Sequence, residues 1–277
     1  MYSRIRYDIF FKKVFGQEHI LKAFLNTVLQ DELSSPITTL TYQPTEFISK
    51  AERQSLNLMK HVMIDVFVTT EDGTRALIEI QKGTEKADLI RFADYQCRNF
   101  SHQFRVGDDY STQMPCYSVC WLFDITPPHG ALKEKLKITS DQAQTDWNIR
   151  WEIIAVYPRC IKQEHLARKT LDRLEEWLLL DVVADARQAQ RIKEAVQTEE
   201  VREAFAQMDI SGLTDAEIDE VEFQEAVSER YKASYEKRLL KREQEKAQEI
   251  ARKMLENGMD AETIVRITGI SPDEIND

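Results

Sequence analysis

Three polar residues stand in strand-like apolar surroundings: Asp65 in HVMIDVFVTT, and Glu79 and Gln81 in RALIEIQ. An acid inside a strand is costly unless something pairs with it, and two acids on facing strands are costlier. Glu71-Asp72-Gly73 lies between the two runs, and Asp-Gly supports the positive φ of a tight hairpin turn. Asp65 and Glu79 are equidistant from Asp72, so a turn centred there sets them opposite each other on one face, roughly 5 Å apart at Cβ. Gln81 falls on the same face, and the backbone carbonyl of Ile80 offers a third oxygen. Magnesium prefers one or two carboxylates, with waters and substrate oxygens completing its shell. A metal held this way activates water and stabilises charge on a scissile phosphate. The expected chemistry is phosphodiester hydrolysis. Asp65, Glu79 and the Ile80 carbonyl would hold Mg²⁺, with Mn²⁺ a possible substitute. Gln81 would orient the attacking water or hold a phosphate oxygen.

The elements around this hairpin follow from periodicity. Residues 5–30 carry Ile9, Phe10, Val14, Phe15, Leu21, Phe24, Leu25, Val28 and Leu29 near helical spacing, with Gly16 placed to divide the run into two helices. ITTLTYQPTEF (37–47) alternates and is β-branched, which predicts a strand, and 48–57 reads as a polar loop. Lys86–Arg105 reads as a helix with Arg91, Tyr95 and Arg98 in one stripe, while Leu89, Phe92, Ala93, Gln96 and Phe100 lie on other faces. PCYSVCWLFDI (115–125) reads as a buried strand, and two more strands are expected at 135–139 and 147–157. After Pro158 the strands stop, and 161–183, 185–208 and 215–256 read as helices. The order predicts an α/β fold: a mixed sheet flanked by helices, then an all-α C-terminal region. The expected division is a domain over 1–160, a helical extension over 161–224, and a long charged helix with a small helical tail over 225–277.

Composition narrows the class. The 277 residues are 42% apolar and 31% charged with only 8 glycines, which suits a helix-rich globular chain with a sizeable core. No apolar run is long enough for a bilayer span and the N-terminus lacks a signal-peptide core, so a cytoplasmic protein without membrane partners is expected. Cys97, Cys116, Cys120 and Cys160 show no metal-binding spacing and read as reduced, buried thiols. The net charge of −11 argues at first against nucleic acid, but its distribution does not. Residues 1–160 hold 19 basic and 20 acidic side chains, whereas 161–277 hold 18 and 28. The part bearing the hairpin is near neutral, and DNA remains an acceptable partner.

Asp65 followed by Glu79-Ile80-Gln81 resembles the D…(D/E)xK signature of PD-(D/E)XK nucleases, in an ExQ form. Asp8-Ile9-Phe10-Phe11-Lys12-Lys13-Val14-Phe15-Gly16 looks like the N-terminal segment of one branch of them. Arg91, Tyr95, Gln103, Gly107, Tyr110 and Pro115 resemble its helix-to-strand segment, and Gly258–Ile275 its ending. Together these are similar to the Rpn family of recombination-promoting nucleases, over most of the chain and least over 184–225. The resemblance implies a restriction-endonuclease-like core, metal-dependent DNA endonuclease activity, and a part in recombination or mobile-element biology. It carries Asp65, Glu79 and Gln81 over as the catalytic set. The lysine usual in the superfamily is replaced here by Gln81.

Around that set stand residues with two readings each. Glu46 is a further acidic ligand or a solvated loop-end acid. Asp8 and Lys12 line the cleft or serve the first helix. Arg91 is the better candidate for a phosphate contact, while Tyr95 contacts phosphate or packs beneath the site. His61, His102 and His129 show no ligand spacing.

The tail DAETIVRITGISPDEI mimics a helix-turn-helix, yet its last helix offers Asp273, Glu274, Asn276 and Asp277, and its negative charge would repel DNA. Oligomerisation through the C-terminal helices, or a regulatory contact, is the expectation there. The rival to an active endonuclease is a catalytically weak or inactive nuclease-fold protein acting as a DNA-associated or oligomeric regulatory module.

Overall fold

The computed structural model describes residues 4–42, 63–83, 86–101, 103–138, 149–161, 165, 168, 170–183 and 186–270. Within these ranges Met63, Ile64, Asp65, Leu77, Glu79, Lys86, Ala87, Asn99 and several residues between 227 and 239 are described by their backbone. The chain forms two compact units, 1–214 and 215–277. Residues 161–214 therefore belong with the sheet. Ile5 N donates to Leu180 O, and the Arg6 guanidinium pairs with Asp181 at 2.6 Å, tying the N-terminus to that region.

The first unit opens with α1 (Asp8–Phe15) and α2 (Glu18–Val28), divided at Gly16 as expected. β1 (Ile37–Tyr42) follows, then β2 (Met63–Thr70) and β3 (Arg75–Gly83), α3 (Lys86–Ser101), β4 (Cys116–Leu122), β5 (Lys133–Lys137) and β6 (Trp151–Val156). The six strands form one sheet in the order β1-β2-β3-β4-β6-β5. β1–β2, β2–β3 and β5–β6 pair antiparallel, while β3–β4 and β4–β6 pair parallel. Parallel strands are covered on both faces, and β4 is buried along its whole length.

Alternation assigns each face. Val66, Val68, Ile78, Ile80, Tyr117, Val119 and Trp121 are buried on one face, where Trp121 meets Phe15 of α1 and Phe24 of α2. There Phe15, Phe24, Trp121 and Trp177 stack with centroids 4.8–6.3 Å apart. On the other face Phe92 of α3 packs with Cys120, Leu122, Ile153, Ala155 and Tyr157.

The helices after Pro158 are shorter than the periodicity suggests: α4 (Arg173–Leu178), α5 (Ala186–Ala195) and α6 (Glu199–Ala206). A capping box delays α4, with Asp172 accepting from Glu175 N and the Glu175 side chain from Asp172 N. The break between α5 and α6 is held by Glu176, whose carboxylate accepts from Gln197 N and Thr198 N at 3.0 and 2.9 Å.

In the second unit α7 (Asp215–Glu256) runs for 42 residues. It ends at Asn257-Gly258, and Asp260 caps α8 (Ala261–Thr268) by accepting from Thr263 N at 2.9 Å. A small core of Ala251 and Ile264, with Met254 and Ile270 against it, joins the two helices. Ser271-Pro272-Asp273-Glu274 lies outside the described residues. Among the described residues no helix is long and apolar enough to cross a membrane.

Candidate active site

The β2–β3 hairpin has the register that the sequence spacing predicts. Asp65 is the Cα partner of Glu79, and Met63 that of Gln81. Paired residues of an antiparallel ladder share a face, so Asp65, Glu79 and Gln81 lie together on the face that α3 partly covers. The turn fixes this pairing. Gly73 adopts φ +83°, and Gly73 N donates to Thr70 O at 3.0 Å. Asp72 accepts from Ser34 Oγ, from Thr70 Oγ1 at 2.5 Å and from Thr74 N at 3.0 Å. Those bonds, the one from Ser34 foremost, hold its carboxyl below the usual carboxylate range.

Gln81 is 1% exposed, and its amide nitrogen has no hydrogen-bond partner among the described residues. A buried donor left unpaired costs about 1–3 kcal/mol, so a group that supplies an acceptor is favoured beside it. On the same face of β2, Phe67 and Thr69 are only partly buried.

α3 approaches β3 closely because Gly83 has no side chain. A Cβ there would lie 2.8 Å from Asp88 Cβ and 2.9 Å from Phe92 Cζ. One turn further on, Arg91 pairs with Asp88 at 3.0 Å and sets its guanidinium 5.0 Å from the Phe92 ring centre. It remains partly exposed. Tyr95 is also partly buried, while Arg98 is exposed and pairs with Asp94 at 2.9 Å.

Gln96 was expected to lie on an ordinary face of this helix, and it does more. It is 1% exposed and bridges two strands, donating to Cys116 O of β4 at 2.6 Å and to Glu152 O of β6 at 3.3 Å. Its carbonyl accepts from Ser118 Oγ at 2.6 Å. Ser118 is the β4 partner of Glu79. The available signal was a glutamine in line with Leu89, Phe92, Ala93 and Phe100, and a serine in the middle of a fully apolar strand.

The remaining expected residues separate. Asp8 is buried, and its carboxylate contacts Lys82 Nζ, which also donates to Arg6 O at 2.8 Å. Lys82 alternates with Gln81, so this pair sits on the opposite face, and Asp8 does not join the Asp65–Glu79 face. Burial, and then the Arg6 guanidinium, pull the Lys82 ammonium down to about 7. Lys12 is exposed on α1. Glu46 and His61 lie outside the described residues. Of the thiols, Cys116, Cys120 and Cys160 are buried as expected, but Cys97 is exposed on α3.

The model of the PD-(D/E)XK nuclease family transposases matches residues 5–243. This chain belongs to that family. The mixed sheet with flanking helices is the architecture of its PD-(D/E)XK domain, and the α7–α8 region follows it. Residues 244–277 match a second model, that of the C-terminal helix-turn-helix domain of the Rpn/YhgA-like nuclease family. No curated protein and no solved structure matches the chain significantly.

PD-(D/E)XK nucleases typically use divalent metals, and the residues present fit one. Two carboxylate-bearing positions face each other across adjacent strands, with the Ile80 carbonyl between the strand positions of Glu79 and Gln81. The Gln81 amide, unpartnered among the described residues, is on the same face, where a metal-associated water or phosphate oxygen would complete it.

Proposed function

We propose that this protein is a Mg²⁺-dependent DNA endonuclease, with Mn²⁺ as a working substitute. The observation that carries the reading is the direct pairing of Asp65 with Glu79 on the face that bears Gln81, whose amide nitrogen has no partner among the described residues. Asp65, Glu79 and the Ile80 carbonyl would hold the ion. When bound, it polarises the scissile phosphate and acidifies water. The Gln81 amide donates to a phosphate oxygen or aligns the attacking water. Arg91, partly exposed on α3, neutralises a neighbouring phosphate, and Tyr95 supports it from the next turn. A neutral amide lacks the charge of a lysine, so the chemical step is slower than in a lysine-bearing relative.

The C-terminal region adds DNA contact or self-association. The helix-turn-helix match supports the first and the acidic end of the chain supports the second. We place the protein in the cytoplasm, acting in recombination or mobile-element biology. The test is nicking of supercoiled plasmid in Mg²⁺. Wild type is expected to nick, while Asp65→Ala and Glu79→Ala nick far more slowly. Equal nicking by all three would overturn the reading.

A second reading is a weak or inactive nuclease fold that serves as a DNA-associated or oligomeric module. The lysine next to Gln81 in β3, Lys82, faces away and contacts Asp8, which favours it. Plasmid retarded in a gel by a wild-type protein that binds no Mn²⁺ would select this alternative.

A further inference from the structure

The core position held by Gln96 is a costly place for an amide. Leucine would fill the α3 stripe formed by Leu89, Phe92, Ala93 and Phe100 without desolvating polar atoms. The amide instead uses both ends. It donates to carbonyls on two neighbouring parallel strands, β4 and β6, and accepts from Ser118 on β4. Apolar packing tolerates small slides of a helix over a sheet. A fully buried fork with three partners has one geometry, and its low-dielectric setting penalises departure from it. Ser118 is also the direct parallel partner of Glu79, so the last link of this chain of bonds lies beside the acid on the same face.

We propose that Gln96 and Ser118 are positioning residues for the metal site: they fix β4 and α3 around Glu79 and thereby set the site's affinity for a divalent ion. This rests on the metal-dependent reading above. Groups that orient a metal-binding carboxylate typically change affinity 10–100-fold when removed.

The experiment is calorimetric titration of the full-length chain with Mn²⁺ in the absence of DNA, with thermal unfolding of each variant alongside. Wild type is expected to bind and Asp65→Ala not to. Ser118→Ala and Gln96→Met are each expected to weaken Mn²⁺ binding about 10-fold, and the double variant by little more than either alone, because both break one connected chain. Phe92→Leu loosens the same helix–sheet contact and loses the ring beneath Arg91, but leaves every hydrogen bond of the Gln96 fork in place. It should lower the unfolding midpoint comparably, yet leave Mn²⁺ affinity within about two-fold of wild type.

Wild-type affinity in Ser118→Ala would overturn the proposal, as would an equal loss in Phe92→Leu. Should Gln96→Met fail to fold, Ser118→Ala, which removes one oxygen, still decides. Wild type that binds no Mn²⁺, or binds it equally well as Asp65→Ala, brings down the metal-dependent reading and this inference with it. Binding that needs Asp65 but ignores Ser118 and Gln96 overturns the inference alone.

Discussion

The two faces of the sheet are built on opposite principles. Against α1 and α2 the surface is aromatic and closed, and the charges around it are matched: Lys133 with Asp31, Lys135 with Glu32, Arg6 with Asp181, and Lys82 with Asp8. On the α3 face the polar groups are internal to the surface itself. Ser118 and Gln96 are bonded to each other, while the Gln81 amide has no partner among the described residues. α3 packs on β3, β4 and β6, whereas Phe67 and Thr69 of β2 are only partly buried. One face secures the sheet, and its rigidity lets the other carry groups that would be destabilising alone.

Substitutions should separate the two faces. The largest effect is expected on the closed one. Trp121→Ala removes a fully buried ring stacked on Phe24 and should cost about 3–5 kcal/mol by denaturant unfolding. Its indole nitrogen has no hydrogen-bond partner among the described residues, so that loss is packing alone. Next, Asp65→Ala should reduce plasmid nicking about 10²–10³-fold, the scale for loss of a preorganised stabilising group. Metal-free stability should hold or rise, because like charges directly opposite on a ladder repel. A large loss of stability in Asp65→Ala would erase the contrast between faces.

Gly83→Ala crosses the division. Its Cβ collides with Asp88 and Phe92, so about 1–3 kcal/mol of stability should be lost and nicking should fall with it as α3 shifts. Normal nicking in this variant would show that α3 need not sit where it does.

The smallest effect sharpens the account of the closed face. Burial raises the Glu152 carboxyl above its ordinary range. The folded state then holds its proton more tightly than the unfolded state. Its contribution is greatest below the unfolded pKa and is lost as pH rises through the folded one. Glu152→Gln should therefore be more stable than wild type at pH 8, by less than about 1 kcal/mol, with the gap closing towards pH 4. Thermal midpoints across that range check the sign.

The sequence made the hairpin legible because two local rules agree there: Asp-Gly fixes the turn, and strand alternation then counts outward to Asp65 and Glu79. Gly16 and the Asp260 cap were legible for the same reason, since helix ends are set by neighbouring residues. What escaped depends on distant partners. Asp8 seemed available for the cleft until the fold brought Lys82 to it from β3, and nothing near Asp8 announces that contact. Gln96 falls in line with the apolar residues of the helix, but its role did not show because its acceptors, on β4 and β6, are brought together only by the sheet order. The run 161–183 looked like one helix, but a capping box at Asp172 and Glu175 begins α4 at Arg173. The pairing of Arg6 with Asp181 is of the same kind, since nothing near Arg6 in the chain announces it.

The tight turn at Asp72-Gly73 also makes this site a matter of arithmetic. A strand shifted by one residue turns every side chain to the opposite face. One residue gained or lost between Thr70 and Arg75, if not absorbed as a bulge, would leave both acids in the chain and put them on different sides of the sheet. The two positions are thus held in parity by the length of a loop that contributes no chemistry of its own. A change in that length would silence the site without altering a single residue that acts in it.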